Sequence, residues 1–347
     1  MQKYLLILGL FNGLMASALT CAVAEDRNET VGFRQLKVDD PLIPGTPIPV
    51  AIWYPADGKS ETFKTGPFVM DVALGAPPIS GKHPLIVISH GTGGSNMGHS
   101  DFALALAKHG YVVAAPEHRH DNYRDTSGVG TAIVWAGRPK DMAQTITALL
   151  EDPQLGPVIA PDRIGAIGMS AGGYTVLALI GAQADMSNLV THCKQVMDDP
   201  GFCKYREQTL NQNSGRTARP VAEALPNAYD SRIKAAILLA PVVALFDDDA
   251  IRNIKIPVRL YAAGKDEILA PRYHAERLRA LLAGNNLEYV AVENAGHFSF
   301  VAPFPAELIG KVGGADYDPP GFDRTAWHAK AANDVVDFFN RQLRTNK

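Results

Sequence analysis

A serine hydroxyl becomes a nucleophile when a base takes its proton, and this chain carries the residues for that at telling positions. Gly168-Met169-Ser170-Ala171-Gly172 follows an apolar strand-like stretch and opens a second apolar run. That is the strand–turn–helix context of a G-x-S-x-G nucleophile turn. Glycines have a steric reason there: the turn strains the serine, and side chains at 168 and 172 would meet neighbouring backbone. Of the ten histidines, His297 in Asn294-Ala295-Gly296-His297-Phe298 alone occupies a strand-end loop near the C-terminus, so it is the candidate base. An imidazole in this role needs a carboxylate to fix its tautomer and stabilise its charged form. Asp266, in Gly264-Lys265-Asp266-Glu267 after the apolar run Val258–Ala263, is the candidate acid. Glu267 should point differently from its neighbour, and the Asp247-Asp248-Asp249 run reads as a solvated start to a helix or loop.

Attack on a carbonyl also needs donors for the oxygen that becomes negative. His90-Gly91-Thr92-Gly93-Gly94, directly after the run Leu85–Ser89, has the glycine-rich pattern that turns backbone amides toward such an oxygen. The expected donors are the amides of Thr92 and Ala171, each worth about 3 kcal/mol of transition-state stabilisation. A phosphate-cradling loop is the rival reading, but the G-x-x-x-x-G-K-[ST] spacing is absent.

These groups have to be held by a scaffold, and strand-like and helix-like stretches alternate along the chain. Candidate strands are Val31–Val38, Pro49–Tyr54, Leu85–Ser89, Tyr111–Ala115, Arg163–Met169, Ala235–Ala240, Val258–Ala263 and Glu288–Glu293. Asp101–Lys108, Asp141–Leu150 and Tyr174–Ala182 read as helices, the last apolar nearly all round. The alternation implies a mostly parallel sheet of eight strands flanked by helices. Continuous Leu85-Ile86-Val87-Ile88 marks a central strand covered on both faces. Each candidate chemical group then follows the C-terminal end of a strand, the edge where open α/β sheets hold their sites. Residues 185–232 break the alternation with a polar stretch, expected to be a lid-like insertion without regular structure.

With those residues in order, the chain resembles the secreted α/β-hydrolases described as predicted dienelactone hydrolases and similar to platelet-activating-factor acetylhydrolases. The resemblance rests on S-H-G-T-G-G at Ser89–Gly94, the Trp135…Arg138-Pro139…Asp141 cluster, R-I-G-A-I-G-M-S-A-G-G at Arg163–Gly173 and A-G-H-F at Ala295–Phe298. It covers nearly the whole chain beyond the N-terminal segment. It implies the α/β-hydrolase fold and ester hydrolysis through an acyl-enzyme, without a cofactor. Dienelactone hydrolases use cysteine as nucleophile where this chain has Ser170, so the likeness does not extend to that substrate. In the acetylhydrolases the acid follows the strand after the nucleophile helix; here that strand ends Leu239-Ala240-Pro241, with no carboxylate until Asp247. Thioesters, lactones and peptides are alternative substrates for the same residues, and a non-catalytic binding protein is the alternative from another class.

The N-terminus reads as a secretory signal: one lysine, an apolar run Tyr4–Ala18, and the small-x-small Ala22-Val23-Ala24. Cleavage before Glu25 leaves 25–347 as one hydrolase domain in a secreted or periplasmic protein, with lipid on Cys21 as the weaker alternative. Residues 1–24 hold one lysine and no acid, so their loss takes the formal charge from −3 to −4. That weak balance argues against nucleic acid; the small-molecule ester expected as partner is what the site residues and the resemblance imply, and no later apolar run is long enough to insert stably in a membrane. Cys193 and Cys203 then remain, close together in a chain bound for an oxidising compartment, and are expected to pair. Glu117-His118-Arg119-His120-Asp121 offers His-x-His, but zinc asks for three or four ligands, so the segment is expected to be a pocket wall or surface loop, with no metal.

Overall fold

The computed structural model describes residues 30–39, 45–204, 225–284 and 286–344. The expected signal segment 1–24, Cys21 and residues 205–224 of the expected insertion lie outside them.

The eight apolar runs form strands: β1 (Val31–Val38), β2 (Ile48–Pro55), β5 (His83–Ser89), β6 (Val112–Pro116), β7 (Ile159–Met169), β8 (Ile233–Leu239), β9 (Val258–Ala263) and β10 (Leu287–Val292). Two more, β3 (Glu61–Thr65) and β4 (Phe68–Leu74), make the sheet ten-stranded among the described residues, rather than eight-stranded. This hairpin escapes a sequence reading because β3 is an edge strand of exposed, largely polar residues, with no apolar run to betray it. The order is β10-β9-β8-β7-β5-β6-β2-β1-β4-β3. The first six in that order pair parallel, and β2 joins β6 antiparallel.

Alternate residues of β5 divide between two cores. Leu85 and Val87 belong to one, and Ile86 and Ile88 to the other. The first core packs α2 (Ala132–Glu151), α3 (Ala171–Leu179) and α6 (Ala275–Leu282); the second packs α1 (Ser100–Lys108) and α7 (Arg324–Phe339). A sheet covered on both faces has no solvated side, so its central strands read as unbroken apolar runs.

Helix α2 begins nine residues before the expected start and passes through Pro139. Proline has no N–H, so the carbonyl of Trp135 one turn earlier loses its helical donor. The Tyr174 hydroxyl takes that place, donating to Trp135 O at 2.9 Å and joining α2 to α3.

Part of the insertion is regular, contrary to expectation. Helix α4 (Met186–Gln195) is capped by Asp185, whose side chain accepts from Ser187 N–H at 2.7 Å, and residues 200–204 are helical. Its polar composition misled because only Met186 and Leu189 are buried, one narrow stripe on a short helix. A short helix α5 (Asp248–Arg252) follows β8.

Candidate active site

The turn from β7 into α3 sets Ser170 at φ 55°, ψ −117°, a conformation a non-glycine residue rarely holds. Its surroundings leave no alternative. A Cβ at 168 would lie 2.1 Å from Gly172 O, and one at 172 would lie 2.0 Å from Ser89 O. The backbone is pinned by Ser170 N–H to Leu239 O at 2.9 Å.

Ser170 Oγ and His297 Nε2 are 2.9 Å apart, and His297 Nδ1 lies 2.9 Å from Asp266 Oδ2. Ser170 and His297 come from the C-terminal ends of β7 and β10, and Asp266 from that of β9. The His297 side chain is 2 % exposed, so little water competes for its two partners. Backbone bonds hold the loops of Asp266 and His297 together: Gly264 N–H donates to Val292 O and Lys265 N–H to Ala295 O. The Asp266 carboxylate is also fixed at its other oxygen, which accepts from Ile268 N–H at 3.0 Å and Leu269 N–H at 2.7 Å.

Of the rival acids, Asp247 is the N-cap of α5 and accepts from Ala250 N–H at 2.7 Å. Glu267 takes a part the sequence did not suggest: its Oε2 accepts the backbone N–H of His297 at 3.1 Å.

Thr92 lines the same cavity as Ser170 and His297. Ala171 opens α3, whose first amides have no acceptor within the helix. The loop bearing Thr92 is anchored one residue on, where Gly93 N–H donates to Asp121 Oδ1 at 2.9 Å. Asp121 is wholly buried and meets Arg138 Nη1 of α2 at 2.6 Å. The same guanidinium donates to the His90 carbonyl, and its Nε to Thr175 Oγ1 of α3 at 3.1 Å. Arg138 thus ties the glycine loop to the helix behind Ser170. Burial pushes the Asp121 carboxyl up and the guanidinium down, each opposed by the attraction of the other.

The segment 117–121 is therefore not a surface loop, as was one expectation for it. His118 and Asp121 are fully buried, and Glu117 lines the cavity and pairs with Arg124. His118 donates from Nδ1 to Asp141 at 3.3 Å and accepts from the Ser89 hydroxyl at 2.8 Å, whereas His120 turns outward to Asp125. His90 donates from Nδ1 to Gly91 O and accepts at Nε2 from His118 N–H. Each buried ring already uses one nitrogen as acceptor, and burial pushes both pKa values well down, so both are neutral. The signal for this network lay in α2: Arg138, Asp141 and Thr145 share the face of Met142, Ile146 and Leu149. Charges on the apolar stripe of a helix have to find partners inside.

The cavity above Ser170 holds about 1290 Å³. Its walls are mainly apolar and come from distant parts of the chain: Phe68 at the missed hairpin, Met97, Leu189 and Phe202 of the insertion, Phe298 and Phe304. Among the described residues no helix is long and apolar enough to cross a membrane. Cys193 and Cys203 form a disulfide, Cα atoms 5.5 Å apart.

A further grouping was invisible in the sequence because one member, His274, lies 75 residues from Asp199 along the chain. His192, Asp199 and His274 bring their polar atoms within 4.8 Å of one another.

Residues 64–134 match the family model described as platelet-activating factor acetylhydrolase, isoform II. A ferulic acid esterase from Streptomyces cinnamoneus is similar in structure, with a TM-score of 0.64 at 19 % identity over 93 % of this chain and 92 % of that one. A dienelactone hydrolase-like promiscuous phosphotriesterase from metagenomic libraries gives 0.53 at 14 %, covering 90 % of this chain and 99 % of the other. A puromycin-hydrolyzing peptidase of Mycobacterium tuberculosis gives 0.54 at 14 %, this chain covering 40 % of its length. At such identities the neighbours establish the fold, and the family model adds an esterase-type hydrolase. The chain thus has the α/β-hydrolase fold, and within it residues 64–134 resemble the platelet-activating factor acetylhydrolases.

Proposed function

We propose that the protein is a serine hydrolase that cleaves carboxylic esters of small molecules through an acyl-enzyme. The observation that carries this reading is the unbroken row from Ser170 Oγ through His297 to Asp266, both links 2.9 Å, opening on a large apolar cavity. In this scheme His297 Nε2 takes the proton as Ser170 Oγ bonds to the ester carbonyl carbon, and Asp266 stabilises the imidazolium. The amides of Thr92 and Ala171 hold the carbonyl oxygen as it becomes negative. His297 then protonates the departing alcohol, leaving the acyl group on Ser170. Water, deprotonated by His297, attacks the acyl carbon; the acid leaves and the serine recovers its proton.

No bound metal or organic cofactor takes part in these steps. The protein is proposed to work outside the cytoplasm, supported by the expected signal at 1–24 and by the disulfide. The insertion 185–232 contributes Leu189 and Phe202 to the cavity, which supports a part in substrate binding.

The test is a panel of p-nitrophenyl esters from acetate to palmitate, with an anilide and a thioester alongside, and a fluorophosphonate probe on the same samples. Ester turnover with labelling of Ser170 is expected. A protein that takes no label and cleaves none of the panel would be the non-catalytic alternative.

A further inference from the structure

The His192–Asp199–His274 group has the residue types of a metal site, and its hydrogen bonds argue against one. Val243 N–H donates to His274 Nδ1 at 3.0 Å, which puts that ring's proton on Nε2. The Nε2–H is aimed at Asp199 Oδ2, 2.9 Å away, so a cation there would require an imidazolate. Burial pushes the His274 pKa down, in keeping with a neutral ring. His192 Nε2 donates to the same oxygen at 2.8 Å, and the remaining oxygen, Oδ1, accepts Ala270 N–H at 2.9 Å. Asp199 is 1 % exposed and has an acceptor role filled at each oxygen.

The Ala270 contact links this cluster to the site. Three consecutive amides are shared between two carboxylates: Ile268 and Leu269 donate to Asp266 Oδ1, and Ala270 donates to Asp199 Oδ1. A second contact acts on the same turn. Gly201 lies so close that a Cβ there would be 2.3 Å from Glu267 O and 2.8 Å from Ile268 O. Asp199 and Gly201 both belong to the short loop closed by the Cys193–Cys203 disulfide.

We propose that this disulfide-closed loop is a strut, and that Asp199 is a positioning residue that holds the 266–270 turn so that the Asp266 carboxylate meets His297. The proposal rests on the reading of Ser170, His297 and Asp266 as a triad. Asp199 acts through the turn and touches neither substrate nor the reacting atoms. A movable lid over the cavity would instead act on substrate binding, and the two roles separate in kinetics.

The test uses Asp199→Asn and, independently, Gly201→Ala in the full-length protein. The asparagine can still accept from Ala270, but its NH2 faces the His274 N–H, which the Val243 amide prevents from moving to the other nitrogen. The alanine leaves every charge in place and presses on the Glu267–Ile268 backbone. With p-nitrophenyl butyrate, kcat should fall about ten- to a hundred-fold while KM stays within about threefold, as for a displaced catalytic group. The downfield proton resonance of the His297 Nδ1–H bonded to Asp266 should weaken or vanish in both variants.

If Asp199→Asn does not fold, Gly201→Ala decides alone. Unchanged kcat and an unchanged resonance would overturn the proposal, as would a raised KM with kcat intact. Should the wild-type protein cleave no ester and resist the fluorophosphonate, the triad reading fails by itself. The resonance still reports whether the strut holds Asp266 against His297.

Discussion

The Arg138 guanidinium and the Asp121 carboxylate meet at 2.6 Å with no exposed surface on either side chain. Taken out of water, each charge depends on the other. Asp121→Ala should therefore lower stability by about 3–5 kcal/mol, the usual consequence of leaving one buried charge alone. Urea denaturation measures it. A loss under about 1 kcal/mol would mean that water reaches Arg138 in solution.

Ser170→Ala should lower kcat for p-nitrophenyl esters by several orders of magnitude and abolish fluorophosphonate labelling. The side chain contributes one hydroxyl and little packing, so the melting temperature should hardly move. More than about a tenth of wild-type turnover would remove Ser170 from the mechanism.

Asp266→Asn keeps the size of the side chain and removes the charge that favours imidazolium. A fall in kcat of about 10³- to 10⁴-fold is expected, with KM little changed. Asp247→Ala should instead leave kcat alone and lower stability by about 1 kcal/mol, because its carboxylate caps a helix. Reversal of the two effects would give the acid role to the loop after β8.

His99 is 4 % exposed, and burial together with the nearby His328 lowers its pKa to about 4, with Asp101 opposing. Above the ordinary value of 6.5 the ring is neutral in both folded and unfolded protein. Between 6.5 and about 4 the unfolded chain binds a proton that the folded one refuses, so stability is lost as the pH falls. The full loss from this ring is about 3 kcal/mol. His90 and His118 act in the same direction, whereas the raised carboxyls of Asp121 and Asp141 act against it. Denaturation of wild type and His99→Gln from pH 7 to 4 should show a shallower decline in the variant. Parallel curves would clear His99 of any part in acid sensitivity.

Removing the disulfide as Cys193→Ser with Cys203→Ser frees a loop whose closure is worth about 3 kcal/mol in chain entropy. The loss should appear as faster proteolysis and hydrogen exchange around 193–203, ahead of global unfolding. Two titratable thiols in the unreduced wild-type protein would exclude the bond.

The parallel core was legible because strands buried on both faces have to be apolar without interruption, as in Leu85–Ile88, and its helices because an apolar stripe recurs at helical spacing. The turn around Ser170 was legible for a local reason as well, since only glycine fits at 168 and 172. The β3–β4 hairpin was not, because an edge strand needs no apolar pattern; nor was the early start of α2, where Tyr174 from another helix supplies the donor that Pro139 lacks. Sequence alone thus determined the kinds of residue available and the strand ends that carry them, because those depend on local pattern and on chain order. Whether Asp266 reaches His297, what holds Arg138, and that His274 joins His192 at Asp199 were decided by tertiary structure. Each depends on a distance of about 3 Å between groups from separate strands and loops, and spacing along the chain does not encode such distances.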